Sequence, residues 1–248
     1  MTDVMPHAAG LTNVGLVRAA NEDSILLRDD ASLWSVADGM GGHRGGKWAS
    51  EQVRDALGRV ELSEDFDLNV QRIEEAVLSA NAAIVKAGEK AGAHMGTTVV
   101  ILHVVRSKFV IFWAGDSRVY LCRQGQIYRL TTDHTQVQEM VDCGLITQDE
   151  ARRHPEKHVL SRAVGVIPDL ELDLIADNIE PHDMFVLCSD GVTTVVSDSE
   201  IGERMTRASP EAVAKELLEL VLSRGAPDNT SIIVVACEPR MADEDTPI

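Results

Sequence analysis

Three short apolar runs, each closing on an aspartate at a turn, constrain this chain more than any other feature. Leu33–Ala37 runs into Asp38-Gly39, Phe109–Ala114 into Gly115-Asp116, and Met184–Cys188 into Ser189-Asp190-Gly191. Runs of this length, rich in β-branched and aromatic residues and bounded by turn residues, form buried strands. Thr97–Val105 and Ser231–Cys237 are further apolar runs, the second starting just after Asp228-Asn229. A sheet fold follows, with carboxylates recurring where strands meet loops. Periodicity alone leaves open whether those carboxylates converge in space.

Helical signals occur in separate blocks. Val70, Ile73, Val77, Ala80 and Ile84 recur at spacings of three and four, an apolar stripe on one long helix ending near Gly88 or Gly92. Ser209-Pro210 reads as an N-cap followed by the first helical residue. Val213, Leu217, Leu218 and Val221 supply that helix's stripe, and Gly225 stands where a terminating glycine belongs. Ser197 with Glu200 forms a capping box for a shorter helix. Each long helix should cover a sheet. Between Thr131 and Pro168 apolar density falls without the composition of a linker, which predicts a helical flap inserted on the surface. The last residues, 241–248, read as a solvated tail.

A chain of 248 residues suits one well-buried domain. Its formal net charge of −17 repels nucleic acid and anionic membrane surfaces. Cys122, Cys143, Cys188 and Cys237 lie far apart, so neither a zinc-thiolate nor a disulfide framework is indicated. No basic-then-apolar leader opens the sequence, and no stretch has the roughly 18 apolar residues needed to span a bilayer. A reduced, cytoplasmic setting is expected.

Chemistry concentrates in Asp38-Gly39-Met40-Gly41-Gly42-His43, where an aspartate leaves a buried strand and glycines let backbone approach something small. Asp23, Asp38, Asp116, Asp190 and Asp228 all stand beside a turn or strand end. Each alone reads as a cap or a surface charge before it reads as a ligand. Together they are hard oxygen donors without paired Cys or His, a set that fits Mg²⁺ or Mn²⁺ better than zinc. His134, His154 and His158 lie in the flap segment, Pro155 interrupts any helical His pair, and the three read as exposed or flap-packing side chains.

These residues belong to an ordered series: Gly15-Leu16-Val17-Arg18-Ala19-Ala20-Asn21-Glu22-Asp23, Val36-Ala37-Asp38-Gly39-Met40-Gly41-Gly42-His43, Gly96-Thr97-Thr98, Ala114-Gly115-Asp116-Ser117-Arg118, Leu130-Thr131-Thr132-Asp133-His134, Ser189-Asp190-Gly191 and Asp228-Asn229-Thr230. The series resembles that of the protein phosphatase 2C family in its bacterial, free-standing form. The likeness runs from about Ala9 to Cys237, so the domain is expected over 9–240. It implies an α+β fold, a four-layer α/β/β/α sandwich of two antiparallel sheets with a helical flap.

The resemblance also implies a site. Asp38 would bridge two metal ions, Gly39 would offer its carbonyl, and Asp190 and Asp228 would complete the first ion. Asp23 would bind or orient metal-held water, with Glu22 and Asn229 in support, and Asp116 with Asp190 would hold a third, weaker ion. Arg18 matches the position that grips phosphate with its two-pronged guanidinium. Met40 stands where eukaryotic members carry a proposed proton-donating histidine, and His43 is the nearest substitute; geometry decides between that duty and a plain loop role. The implied activity is hydrolysis of phosphoserine and phosphothreonine in proteins by water activated between two Mn²⁺ or Mg²⁺ ions, in a monomer opposing a Ser/Thr kinase. Bound cations would also reverse, locally, the repulsion between an acidic protein and a phosphate. The alternative is a catalytically weak phosphoprotein-binding or sensing module on the same fold.

Overall fold

The structure, a computed structural model, describes residues 4–41, 45–206 and 208–239. Two five-stranded sheets stack face to face. The first runs in the order β1 (Val4–Asn13), β12 (Thr230–Pro239), β11 (Met184–Cys188), β8 (Arg118–Arg123), β9 (Gln126–Arg129). The second runs β10 (Asp173–Asn178), β7 (Lys108–Ala114), β6 (Val99–Val105), β3 (Leu33–Ala37), β2 (Ser24–Arg28). Every pairing is antiparallel, and β4 (Gly39–Met40) with β5 (Gly96–Thr97) adds a short third ladder.

The central strands read as unbroken apolar runs because both of their faces are covered. Val100, Leu102 and Val104 of β6 point between the sheets, against Trp34, Ile111, Phe185 and Ile233. Val99 and Ile101, the alternate residues, point outward to Val53, Leu57, Ile73 and Ile84 on helices α1 (Gly45–Gly58) and α2 (Phe66–Ala91). The outer face of the other sheet, through Tyr120, Val186, Ile232 and Val234, meets α6 (Asp198–Met205) and α7 (Pro210–Ser223). Each fully buried side chain of this kind stabilises the fold by about 1.5–3 kcal/mol. The expected α/β/β/α layering is the one observed.

Local chemistry sets the helix ends. Asp65 caps α2 by accepting from the Leu68 N–H, and Gly92 (φ +60°) ends it. Ser209 caps α7 with Pro210 at the first helical position. Ser197 and Glu200 form the reciprocal box that starts α6. The flap carries α3 (Gln136–Asp142) and α4 (Gln148–Arg153), the latter opened by a Thr147–Glu150 box. It is tied to the body where Thr97 pairs with Val164 and where the Asn81 amide donates to the Ile167 and Pro168 carbonyls.

Strands β1, β2, β8, β9 and β10 and helix α1 lie outside the pattern that periodicity reveals, and α1 and β1 show why. Helix α1 has a narrow stripe, Ala49, Val53 and Leu57, and opens on Gly45-Gly46, which weakens its helical signal. Those glycines serve packing: a Cβ on Gly46 would collide with the Gly39 backbone and the Glu22 carboxylate. Strand β1 starts at Val4 and is mostly half-exposed, with Pro6 and Gly10 breaking its alternation, as an edge strand tolerates.

Candidate functional site

Strand register brings the scattered aspartates to one end of the sandwich. In one sheet Ser24 pairs with Ala37, Val36 with Val100, and Val99 with Ala114, so Asp23, Asp38 and the Gly115-Asp116 turn leave the same edge. In the other, Cys188 pairs with both Arg118 and Ile232, which sets Asp190 beside the approaches to β8 and β12, where Asp116 and Asp228 stand. Arg18, Glu22, Asp38, Gly39, Asp116, Asp190, Asp228 and Asn229 all line one open cavity of about 580 Å³. His43 lies outside the described residues.

The backbone around these carboxylates is fixed by hydrogen bonds. The Asp38 N–H donates to Thr98 Oγ1 (3.1 Å), and its carbonyl accepts from the Thr98 N–H and the Thr97 hydroxyl, both at 2.8 Å. Thr98 Oγ1 also meets the Ser117 hydroxyl at 2.7 Å, linking the Asp38 turn to the Asp116 turn. Gly115 holds φ +111° with Thr98 directly above it, so neither its backbone angle nor the space admits a side chain. Asp190 opens the one-turn helix α5 (Asp190–Thr193).

Asn229 organises the opposite wall. Its side-chain N–H groups donate to the Val14 and Ala20 carbonyls, both at 2.9 Å, and its Oδ1 accepts from the Glu22 N–H at 2.8 Å. The loop bearing Arg18 and Glu22 is thereby tied to the start of β12. Arg18, 57% exposed, closes its guanidinium on Asp228: Nε donates to Oδ1 at 2.8 Å and Nη2 to Oδ2 at 2.6 Å.

Asp23 sits behind the cavity rather than in its wall. It is 7% exposed; Oδ2 accepts from the Ser189 hydroxyl at 2.9 Å, and Oδ1 has no hydrogen-bond donor among the described residues. Burial pushes its pKa up to about 6, reinforced by the Asp190 charge. Burial, then repulsion from Asp190 and Asp133, pushes Asp116 up to about 8. Asp38 is driven well above the usual carboxylate range by burial and by Asp23, Asp190, Asp116 and Asp228 together. Carboxylates crowded this closely resist ionising side by side unless a cation joins them. An orphaned buried oxygen and an all-oxygen donor set fit a hard divalent ion.

His158 is exposed on the flap, as expected, and its place beside Asp190 is what the sequence did not show. It lines the cavity, with Nδ1 3.4 Å from Asp190 Oδ2, and Asp190 holds its pKa above the ordinary value. Asp116, His158 and Asp190 offer ligand atoms that lie within 4.8 Å of one another. Its position depends on the flap folding back so that Thr135 bridges Leu160, a long-range event with no local sequence signature. His134 packs in the flap root as expected, stacked on Trp113.

Residues 12–140 match the family model described as Protein phosphatase 2C. The serine/threonine protein phosphatase PstP of Mycobacterium tuberculosis is 36% identical over 236 residues, which is 94% of this chain and 45% of that protein. The chain thus spans less than half the length of that relative. A putative protein phosphatase 2C-type of Streptococcus pyogenes is 36% identical over 232 residues, covering 90% of this chain and 94% of its own. The solved catalytic domain of PstP, in complex with two manganese ions, superposes with a TM-score of 0.85 at 35% identity, over 96% of this chain and 100% of that one.

Proposed function

The chain belongs to the protein phosphatase 2C family, and from that premise we propose that it hydrolyses phosphoserine and phosphothreonine in proteins. The observation that carries this reading is the gathering of Asp23, Asp38, Asp116, Asp190 and Asp228 at one end of the sandwich, with a buried oxygen of Asp23 left unpartnered. Asp38, the Gly39 carbonyl, Asp190 and Asp228 would hold two Mn²⁺ or Mg²⁺ ions, with Asp23, Glu22 and Asn229 in support. Such ions, when bound, supply Lewis acidity: they lower the pKa of water and offset charge at phosphorus.

The chain's own residues do the positioning. Asp38 keeps its place because both its N–H and its carbonyl are anchored by Thr97 and Thr98. Arg18, on the cavity rim, presents two parallel donors, the geometry that grips two phosphate oxygens. Its Nε–Nη2 edge is taken up by Asp228, so a phosphate would be gripped through the remaining Nη1–Nη2 edge, or through both edges once ions claim the Asp228 carboxylate. Asp116 and Asp190, with His158 from the flap, would hold a third and weaker ion.

The same reading makes the protein a cytoplasmic monomer that opposes a Ser/Thr kinase, acts on phosphorylated proteins and, at a net charge of −17, avoids nucleic acid. No helix among the described residues is long and apolar enough to cross a membrane. A phosphoprotein-binding module is the weaker reading, since none of the site's aspartates has been lost. The test is phosphate release from a phosphothreonine peptide with Mn²⁺, with Mg²⁺ and with EDTA. Release that needs the ions supports the assignment; undiminished release in EDTA would sink it.

A further inference from the structure

Half-buried cations in this protein are matched to acceptors as a rule. Arg118 and Arg123 rest on Asp133 and Asp183, and Arg72 and Arg204 donate to the Glu61 and Glu200 carbonyls. Arg129 and Lys157 depart from the rule. Both are half-buried, and neither has a carboxylate or carbonyl partner among the described residues; Lys157 is also the one lysine there that is not exposed. Withdrawing a cation from water without an acceptor is unfavourable, and the arrangement is relieved when an anion arrives.

These two side chains line the same groove, of about 720 Å³, between the flap helices and the α5–α6 segment. The groove shares Asp116, His158 and Asp190 with the catalytic cavity, so it is a continuation of it. Its remaining carboxylates are engaged: Asp133 and Asp198 by Arg118, and Glu200 by Arg224. Among the described residues, nothing in the groove except the metal-site aspartates is left to neutralise Arg129 and Lys157.

We infer that this groove receives the polypeptide next to the phosphorylated residue, and that Arg129 and Lys157 select an anionic side chain there. The anion is an aspartate, a glutamate or a second phosphorylated residue, and the inference rests on the phosphatase reading above. At a net charge of −17 the protein repels acidic peptides at a distance, so the selection works by contact within the groove.

The experiment compares phosphothreonine peptides in which Glu, Ala, Lys or a second phosphothreonine is scanned along the flanking positions. For the wild type in Mn²⁺, kcat/KM should favour Glu over Ala by about tenfold at the best position, mostly through KM, as a charge-assisted contact would give. The second phosphothreonine, compared with Glu at that position, identifies which anion the groove prefers. In Arg129→Gln/Lys157→Gln the Glu preference should fall below about twofold while turnover of p-nitrophenyl phosphate, too small to reach the groove, is unchanged. Arg129→Glu/Lys157→Glu should shift the preference toward Lys. An equal Glu-to-Ala ratio in wild type and both variants, or no preference at any position, overturns the inference. Failure of the wild type to hydrolyse any phosphopeptide would instead overturn the phosphatase reading on which it rests.

Discussion

Arg18 holds both oxygens of Asp228, so one guanidinium faces two claims: the carboxylate it grips now and the phosphate it is suited to grip. Arg18→Ala should therefore act on capture, raising KM roughly tenfold to a hundredfold with a smaller effect on kcat, the signature of a lost charge-assisted bidentate contact. Steady-state kinetics on a phosphopeptide checks this, and an unchanged KM would remove Arg18 from phosphate binding. Asp116→Ala should leave two ions bound and lose a weaker third, with slower phosphopeptide turnover; elemental analysis showing no bound metal would place Asp116 in the core pair instead. Individual residues were legible where a motif fixed them: Asp38, Asp190 and Asp228 reach the cavity as the sequence suggests. His158 was not, because its partner Asp190 lies on a different element and Pro155 argued against a helical pair. Asp23 was legible as acidic but not as buried behind the cavity, a depth set by packing around Ser189.

At the scale of elements, the loop from Val14 to Glu22 is tied by hydrogen bonds to the start of β12. Asn229 alone supplies three hydrogen bonds to that loop. Asn229→Ala should lower stability by about 1–3 kcal/mol, since it strands backbone groups without partners, and should impair turnover beyond that loss by freeing Arg18 and Glu22. Denaturant unfolding together with activity at fixed folded fraction measures both. The flap root offers a pH readout. His134 Nδ1 accepts from the Gly115 N–H and Nε2 lies 3.2 Å from Asp173, and burial holds its pKa below the ordinary 6.5. A base depressed in the folded state gains a proton on unfolding, so its stabilisation is whole above 6.5 and is lost as pH falls through the folded value. Wild type should therefore lose more Tm between about pH 7 and 5 than His134→Gln does, and equal losses would contradict this. Strands and helices with continuous runs or full stripes were legible, among them β3, β7, β11, α2 and α7. Helix α1 and the edge strands were not, since glycines kept for close packing, and residues left half in solvent, erase the periodicity that reveals an element.

The whole molecule gathers at one end of a closely packed sandwich a set of carboxylates whose mutual repulsion an ion would relieve. Its sheets and covering helices fix where the strands end, and those ends fix the site; what the sequence could not give was the register that makes five distant aspartates neighbours. On the metal-dependent reading the folded state binds the ions and the unfolded chain does not, so Mn²⁺ should raise Tm in a concentration-dependent way and EDTA should reverse it. The most direct measurement is Mn²⁺ stoichiometry by titration calorimetry, taken beside phosphopeptide turnover, for wild type and Asp38→Asn. The account predicts at least two bound ions in the wild type, with the variant folded, short of at least one ion and slower by about a thousandfold or more. An Asp38→Asn protein that keeps both its ions and its turnover would contradict it.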